Sequence, residues 1–143
     1  MKKLAKMTPL MKRIALGKTM GFFMGLTPWI FLIYLTDIDT RVILGLLLWM
    51  SITGVLIGAM WIMHKHPVLG FKMWWLLRGS LIGAMMFGTV SLLSYDSLSQ
   101  IVNILSFGYL ESAYWIIIDG AILGATIDYF ATKYYWQGKK LLK

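Results

Sequence analysis

Ionisable residues stand inside apolar runs of the chain. Arg78 opens the stretch RGSLIGA, Asp119 opens DGAILGA, and Asp128 follows Gly124 by four residues. An acid and a base in such surroundings have two uses. They neutralise each other and latch two helices in register, or they form a path along which an ion or proton moves. A lone charge at the centre of a bilayer costs at least about 2.5–3.5 kcal/mol, so partners are expected. Arg78 with Asp119 is one pair, since a rise of 1.5 Å per residue puts the two at compatible depths in antiparallel helices. Asp128 with Lys18 is a second. Asp128 with Arg78 is the alternative, which would join Arg78, Asp119, Asp128 and Lys18 into one buried charge network.

Metal chemistry has a weaker foothold. Met60, Met63, His64 and His66 cluster in MWIMHKH, and thioether with imidazole is a ligand set for Cu(I). The chain has 11 methionines spread along it, however, and methionine is ordinary apolar filler. No metal and no cofactor are therefore expected. There are no cysteines, which excludes disulfides and thiolate sites. No GxSxG elbow, HExxH, P-loop or GxGxxG fingerprint occurs, so no catalytic residue is assigned and the chain reads as a non-enzyme.

The elements that hold these residues are long apolar helices. The chain is 59% hydrophobic and 14% charged, with mean hydropathy +0.72, far from a soluble domain's composition. Four runs, at about residues 14–35, 42–63, 73–93 and 110–134, each reach the roughly 20 apolar residues that cross a hydrocarbon core. At that depth the backbone must bond within its own segment, so helices are expected. Thr8-Pro9 reads as a cap followed by proline in the first turn. Pro28 removes one hydrogen bond from the first helix and is expected to kink it.

The flanks orient the spans. Lys2, Lys3, Lys6, Lys12 and Arg13 precede the first. His64, Lys65, His66 and Lys72 separate the second and third, and Lys133, Lys139, Lys140 and Lys143 follow the fourth. The other two loops carry Asp37, Asp39, Arg41, Asp96 and Glu111. The positive-inside bias then puts both termini in the cytoplasm, with the cytoplasmic membrane of a prokaryote as the expected location. The first run is too long for a signal peptide and lacks its cleavage site, so it reads as a retained helix. The net charge of +8 lies outside the spans and forms no basic stripe, so nucleic acid is not an expected partner.

Between the third and fourth spans, SLSQIVNIL carries apolar residues at Leu98, Ile101, Val102 and Leu105, the spacing of one helical face. Ser97 and Gln100 resemble a capping box. A short interfacial helix over residues 97–106 is expected, an ordinary loop or a plug folded back over the bundle being the alternatives.

Every span also carries Gly-x-x-x-Gly: Gly17, Gly21 and Gly25; Gly54 and Gly58; Gly79 and Gly83; Gly120 and Gly124. Glycines four apart share a face and let a second backbone approach closely. Such a glycine-zipper pattern serves packing within one chain or, where a groove faces outward, assembly. GVLIGAM at 54–60, GSLIGAM at 79–85 and GAILGAT at 120–126 are similar, and since the second and fourth spans run the same way, a duplicated hairpin would relate those two, the third running opposite to both. The expected whole is a single all-α membrane domain, residues 1–143: a four-helix bundle, N-in and C-in, with a short outer helix. Its expected role is assembly, as a homo-oligomer or as an accessory subunit of a larger membrane complex, with the lipid bilayer and other membrane subunits as partners. The alternative is a small oligomeric channel or transporter using Arg78, Asp119 and Asp128.

Overall fold

The computed structural model describes residues 8–35, 38–60, 65 and 70–135. Five α-helices follow in order: α1 (Pro9–Leu35), α2 (Thr40–Ala59), α3 (Trp75–Leu93), α4 (Tyr95–Leu105) and α5 (Ile116–Tyr135), with a 3-10 turn at Ala113–Trp115 leading into α5. Among the described residues three stretches are long and apolar enough to cross a membrane: Thr40–Ala59, Trp75–Leu93 and Ala113–Tyr134.

Local chemistry sets the ends. Thr8 Oγ1 accepts a hydrogen bond from Met11 N at 3.3 Å, and Pro9 starts α1, five residues earlier than the apolar run alone indicates. α1 continues through Pro28, where the Met24 carbonyl loses its intrahelical donor. Asp39 caps α2, its Oδ1 accepting from Arg41 N at 2.9 Å. After α4 the backbone turns at Phe107 (φ 54°) and Gly108 (φ 86°). That turn, with an extended link to Ser112, delays α5 until Ile116, six residues past the start of the apolar run.

The long helices pack as two antiparallel hairpins, α1 with α2 and α3 with α5, and contacts between the hairpins are far sparser than within them. Glycine makes each hairpin tight. A methyl group on Gly17 would run into the Gly54 carbonyl, and one on Gly54 into the Gly17 carbonyl. Gly79 with Gly124, and Gly83 with Gly120, are reciprocal in the same way. Gly21 faces the Met50 backbone, Gly25 faces the side chains of Met50 and Leu47, and a methyl on Gly58 would lie 2.7 Å from the Arg13 carbonyl oxygen. All nine glycines of the four rows therefore face a helix of the same chain. GVLIGAM and GAILGAT each lie on the second helix of their hairpin, whereas GSLIGAM lies on the first helix of the second hairpin.

One end of the bundle, here the near end, holds the start of α1 and α3 and the last turns of α2 and α5. At the far end Leu32, Ile43, Val90, Leu98, Ile101 and Ala113 form a buried cluster. Leu98 and Ile101 come from α4, which begins at Tyr95, after a single non-helical residue, Ser94. Ser97 is thus inside the helix and not its cap. The apolar face of α4 is turned onto the end of the bundle, in the manner of the plug, because the ends of α1, α2 and α3 leave there an apolar surface for it to cover. Midway, Trp49 Nε1 donates to the Met86 carbonyl at 3.1 Å and ties α2 to α3.

Candidate functional site: the seam between the hairpins

At the near end the seam closes on a buried ionic triad. Asp128 is 0% exposed, Arg13 0% and Arg78 3%. Arg78 binds Asp128 in a forked pair, Nε donating to Oδ2 at 2.8 Å and Nη2 to Oδ1 at 2.7 Å. Arg13 approaches from α1. Its Nη2 donates to Asp128 Oδ1 at 3.0 Å and its Nη1 to the Ala131 carbonyl at 2.8 Å. Thr132 Oγ1 lies 3.4 Å from both Arg13 Nη2 and Asp128 Oδ1. One carboxylate thus joins the two hairpins: Arg78–Asp128 lies within the second, and Arg13–Asp128 bridges to the first. Buried charges persist only where the remaining donors and acceptors are also satisfied, and these bonds largely do that for Asp128.

The helical rows explain who meets whom. Asp128 lies four residues past Gly124 and continues the face that packs on α3, so its Cβ would sit 2.8 Å from a methyl on Gly79. Arg78 precedes Gly79 in the first turn of α3 and is within reach. Asp119 lies one residue before Gly120, about 100° around the helix from that row. It stands in the first turn of α5, toward the far end, because α5 begins late. The expected Arg78–Asp119 pair is therefore absent: Arg78 spends its fork on Asp128, the other option open from the sequence. Lys18 is exposed, being one residue off the Gly17 row, and Arg13 takes the place expected for it. Arg13 reads in the sequence as one more basic flank. The signal that distinguishes it is its spacing, four residues before Gly17 and so on the packed face of α1.

Toward the far end the hairpins diverge around an apolar cavity of about 330 Å³. Its walls come from α1, α2, α3, α4 and α5, with Pro28, Leu46, Phe87, Ile101 and Leu123 among them, and among the described residues of the lining Asp119 is the ionisable one. Asp119 makes no hydrogen bond or ion pair with any described residue. Its place in the first turn of α5 gives it the favourable end of the helix dipole. A second void of about 10 Å³, lined by Thr53 and Ile127 among others, lies on the near side. Met24, Met50, Phe87 and Leu123 line both spaces and divide them. The seam therefore reads in order as cavity with Asp119, apolar constriction, small void, and triad.

Of the residues with metal-ligand chemistry, Met60 ends α2 half-buried; Met63, His64 and His66 lie outside the described residues. Among the described residues no group of three His, Cys, Asp or Glu side chains is placed to hold a metal ion. No protein-family model, no curated protein and no solved structure matches the chain.

Proposed function

We propose that this chain is a non-enzymatic integral membrane protein of four spans, α1, α2, α3 and α5, that moves a small solute along the seam between its two hairpins. The observation that carries this reading is the order of features down the seam: an accessible acid in an apolar cavity, a constriction, and an ionic closure at the opposite end. α1, at 27 residues, has the length for a fourth span. Lysine and arginine bias puts the near end, with both termini, in the cytoplasm. Each hairpin is stiffened by backbone-on-backbone glycine contacts, while the seam is held by a few side chains. Relative motion of two rigid bodies is then the natural way for such a molecule to open.

The chain's lack of cysteine makes the test direct. In oriented proteoliposomes, Asp119→Cys is expected to react with a membrane-impermeant thiol reagent from outside. Ile127→Cys is expected to become reactive from the cytoplasmic side when the triad is released by Arg13→Leu. Ile127→Cys that stays inert from both sides, in a folded protein, overturns the passage.

Assembly is the second reading, and one feature favours it. Gly45 is exposed on α2, and a methyl group there would meet nothing within 4 Å, so this chain leaves a notch beside Leu44 and Leu48 that a second chain can fill. The nine glycines of the four rows do not serve this purpose, being covered within the chain. A particle mass in native-like lipid that is a multiple of the monomer, and that falls on Gly45→Leu, supports assembly through this notch.

A further inference from the structure

We infer that the far cavity binds a small lipophilic organic cation, an amine or quaternary ammonium group on an apolar body, with Asp119 as its counter-ion. This rests on the seam being the place where solute is held, and it names the class of solute. Three observations converge on it.

The first is the composition of the walls. A volume of about 330 Å³ lies at the lower end of the range for small-molecule sites, which are mostly apolar with a few polar groups that set orientation. Here the body of a ligand meets Leu46, Ile101 and Leu123, and the orienting group is one carboxylate. The second is charge. The other intramembrane acid, Asp128, is held by Arg13 and Arg78, whereas Asp119 has no partner among the described residues. An anionic solute is repelled by this site, a neutral one leaves the carboxylate unanswered, and a cation completes it. The third is the aromatic neighbour. Phe87 packs so closely on Gly120 that a methyl there would lie 2.5 Å from its ring, and Gly120 adjoins Asp119. Phe87 and Asp119 line the same cavity, and an aromatic ring bordering the space that a carboxylate borders is a favourable setting for a weakly hydrated cation.

Hydrated metal ions fit this site poorly, because the cavity offers one carboxylate and apolar walls where a hard cation requires several oxygen ligands. The three-cornered match of apolar body, single positive charge and aromatic contact instead describes an amphiphile that partitions into the bilayer.

The probe is hexyltrimethylammonium, titrated calorimetrically into the purified full chain in detergent, beside hexanesulfonate and the neutral carbon isostere 2,2-dimethyloctane. Saturable binding of the ammonium ion alone is expected. Asp119→Asn is expected to weaken it by about tenfold or more, the equivalent of about 1.4 kcal/mol, and Asp119→Glu to retain most of it. Asp119→Asn is expected to leave the fold intact because the side chain makes no hydrogen bond or ion pair with any described residue, and an unchanged melting temperature verifies that. Leu46→Trp, which fills the cavity without touching Asp119's charge, is expected to abolish binding. Equal affinity for the neutral isostere, or undiminished affinity in Asp119→Asn, overturns the proposal. Binding of the cation with Ile127→Cys inert throughout leaves the site standing and removes the passage. A reactive Ile127→Cys without cation binding does the reverse.

Discussion

Arg78 holds Asp128 across α3 and α5 with two parallel hydrogen bonds, 2.8 and 2.7 Å long, and the same carboxylate takes a third from Arg13 of the other hairpin at 3.0 Å. Two cations and one anion share a buried site. The anion is therefore the member whose loss matters most, because it leaves two arginines facing each other without compensation.

An order of damage follows from that charge balance. Asp128→Leu is expected to cost about 3–5 kcal/mol of stability or to abolish folding, the range for uncompensated buried charge. Arg13→Leu leaves the forked Arg78–Asp128 pair intact and is the mildest change. Arg78→Leu leaves Asp128 with a single bond to Arg13 and falls between. Replacing all three by leucine is expected to recover much of the stability lost in Asp128→Leu. Thermal melts of the purified variants in one detergent check the order, and Arg13→Leu melting below Asp128→Leu contradicts it.

Asp119 behaves differently. Its distance from the triad and its lack of internal partners predict a change within about 0.5 kcal/mol for Asp119→Leu, the range for substitutions away from such features. An Arg78→Leu, Asp119→Leu double variant is then as unstable as Arg78→Leu alone. Recovery in the double variant would show the two residues to be coupled.

At Gly83 and Gly124 the nearest opposing atoms are backbone and leave no room to relax. Gly83→Ala and Gly124→Ala are each expected to cost about 1–3 kcal/mol by overpacking, and the leucine variants more. Gly45→Ala, on an open face, is expected to leave the melting temperature unchanged or to raise it through helix propensity. Equal melting temperatures for Gly45→Ala and Gly83→Ala would remove the hairpin packing from the account.

The α4 cap gives a fourth expectation. Ile101 is 5% exposed, so Ile101→Ala is expected to cost about 2–5 kcal/mol as a core truncation. Hydrogen exchange at the far end of α3 is expected to quicken with it. Gln100→Ala, on the opposite, exposed side of α4, is expected to do neither. A helix lying free on a lipid surface would show no such contrast.

Topology is open to labelling. Cysteines introduced at Lys2 and Lys143 are expected to react with impermeant reagents from the cytoplasmic side only, and cysteine at Glu111 from the other side only. Reaction of Lys2→Cys from outside reverses the orientation proposed.

Much of this molecule was legible in the order of its residues. Long apolar runs announce helices because a chain this apolar has no other way to satisfy its backbone. Spacings of four announce which residues share a face, and that rule accounts for the glycine contacts and for Asp128 beside Gly79. It also contains Arg13, four before Gly17, although a basic residue near the end of a span reads first as an anchor. The helix starts were harder. The apolar run of the last span starts at about residue 110 in the sequence, and only the left-handed turn at Phe107 and Gly108 with the link that follows it shows that α5 begins at Ile116. That shift carries Asp119 out of the bundle centre and into the wall of the far cavity.

Helix periodicity is a local property, set by the backbone within a few turns, and so the sequence by itself determined the helices, their apolar character and the composition of each face. Which acid answers which base is a contest among side chains from three helices, decided by rotations of about 100° per residue and by differences in reach of a few ångströms. Those quantities exist only once the hairpins have docked. The tertiary structure therefore decided that Arg78 binds Asp128, that Arg13 joins them, that the glycine rows are consumed within the chain, and that Asp119 is left without an internal partner, facing a cavity.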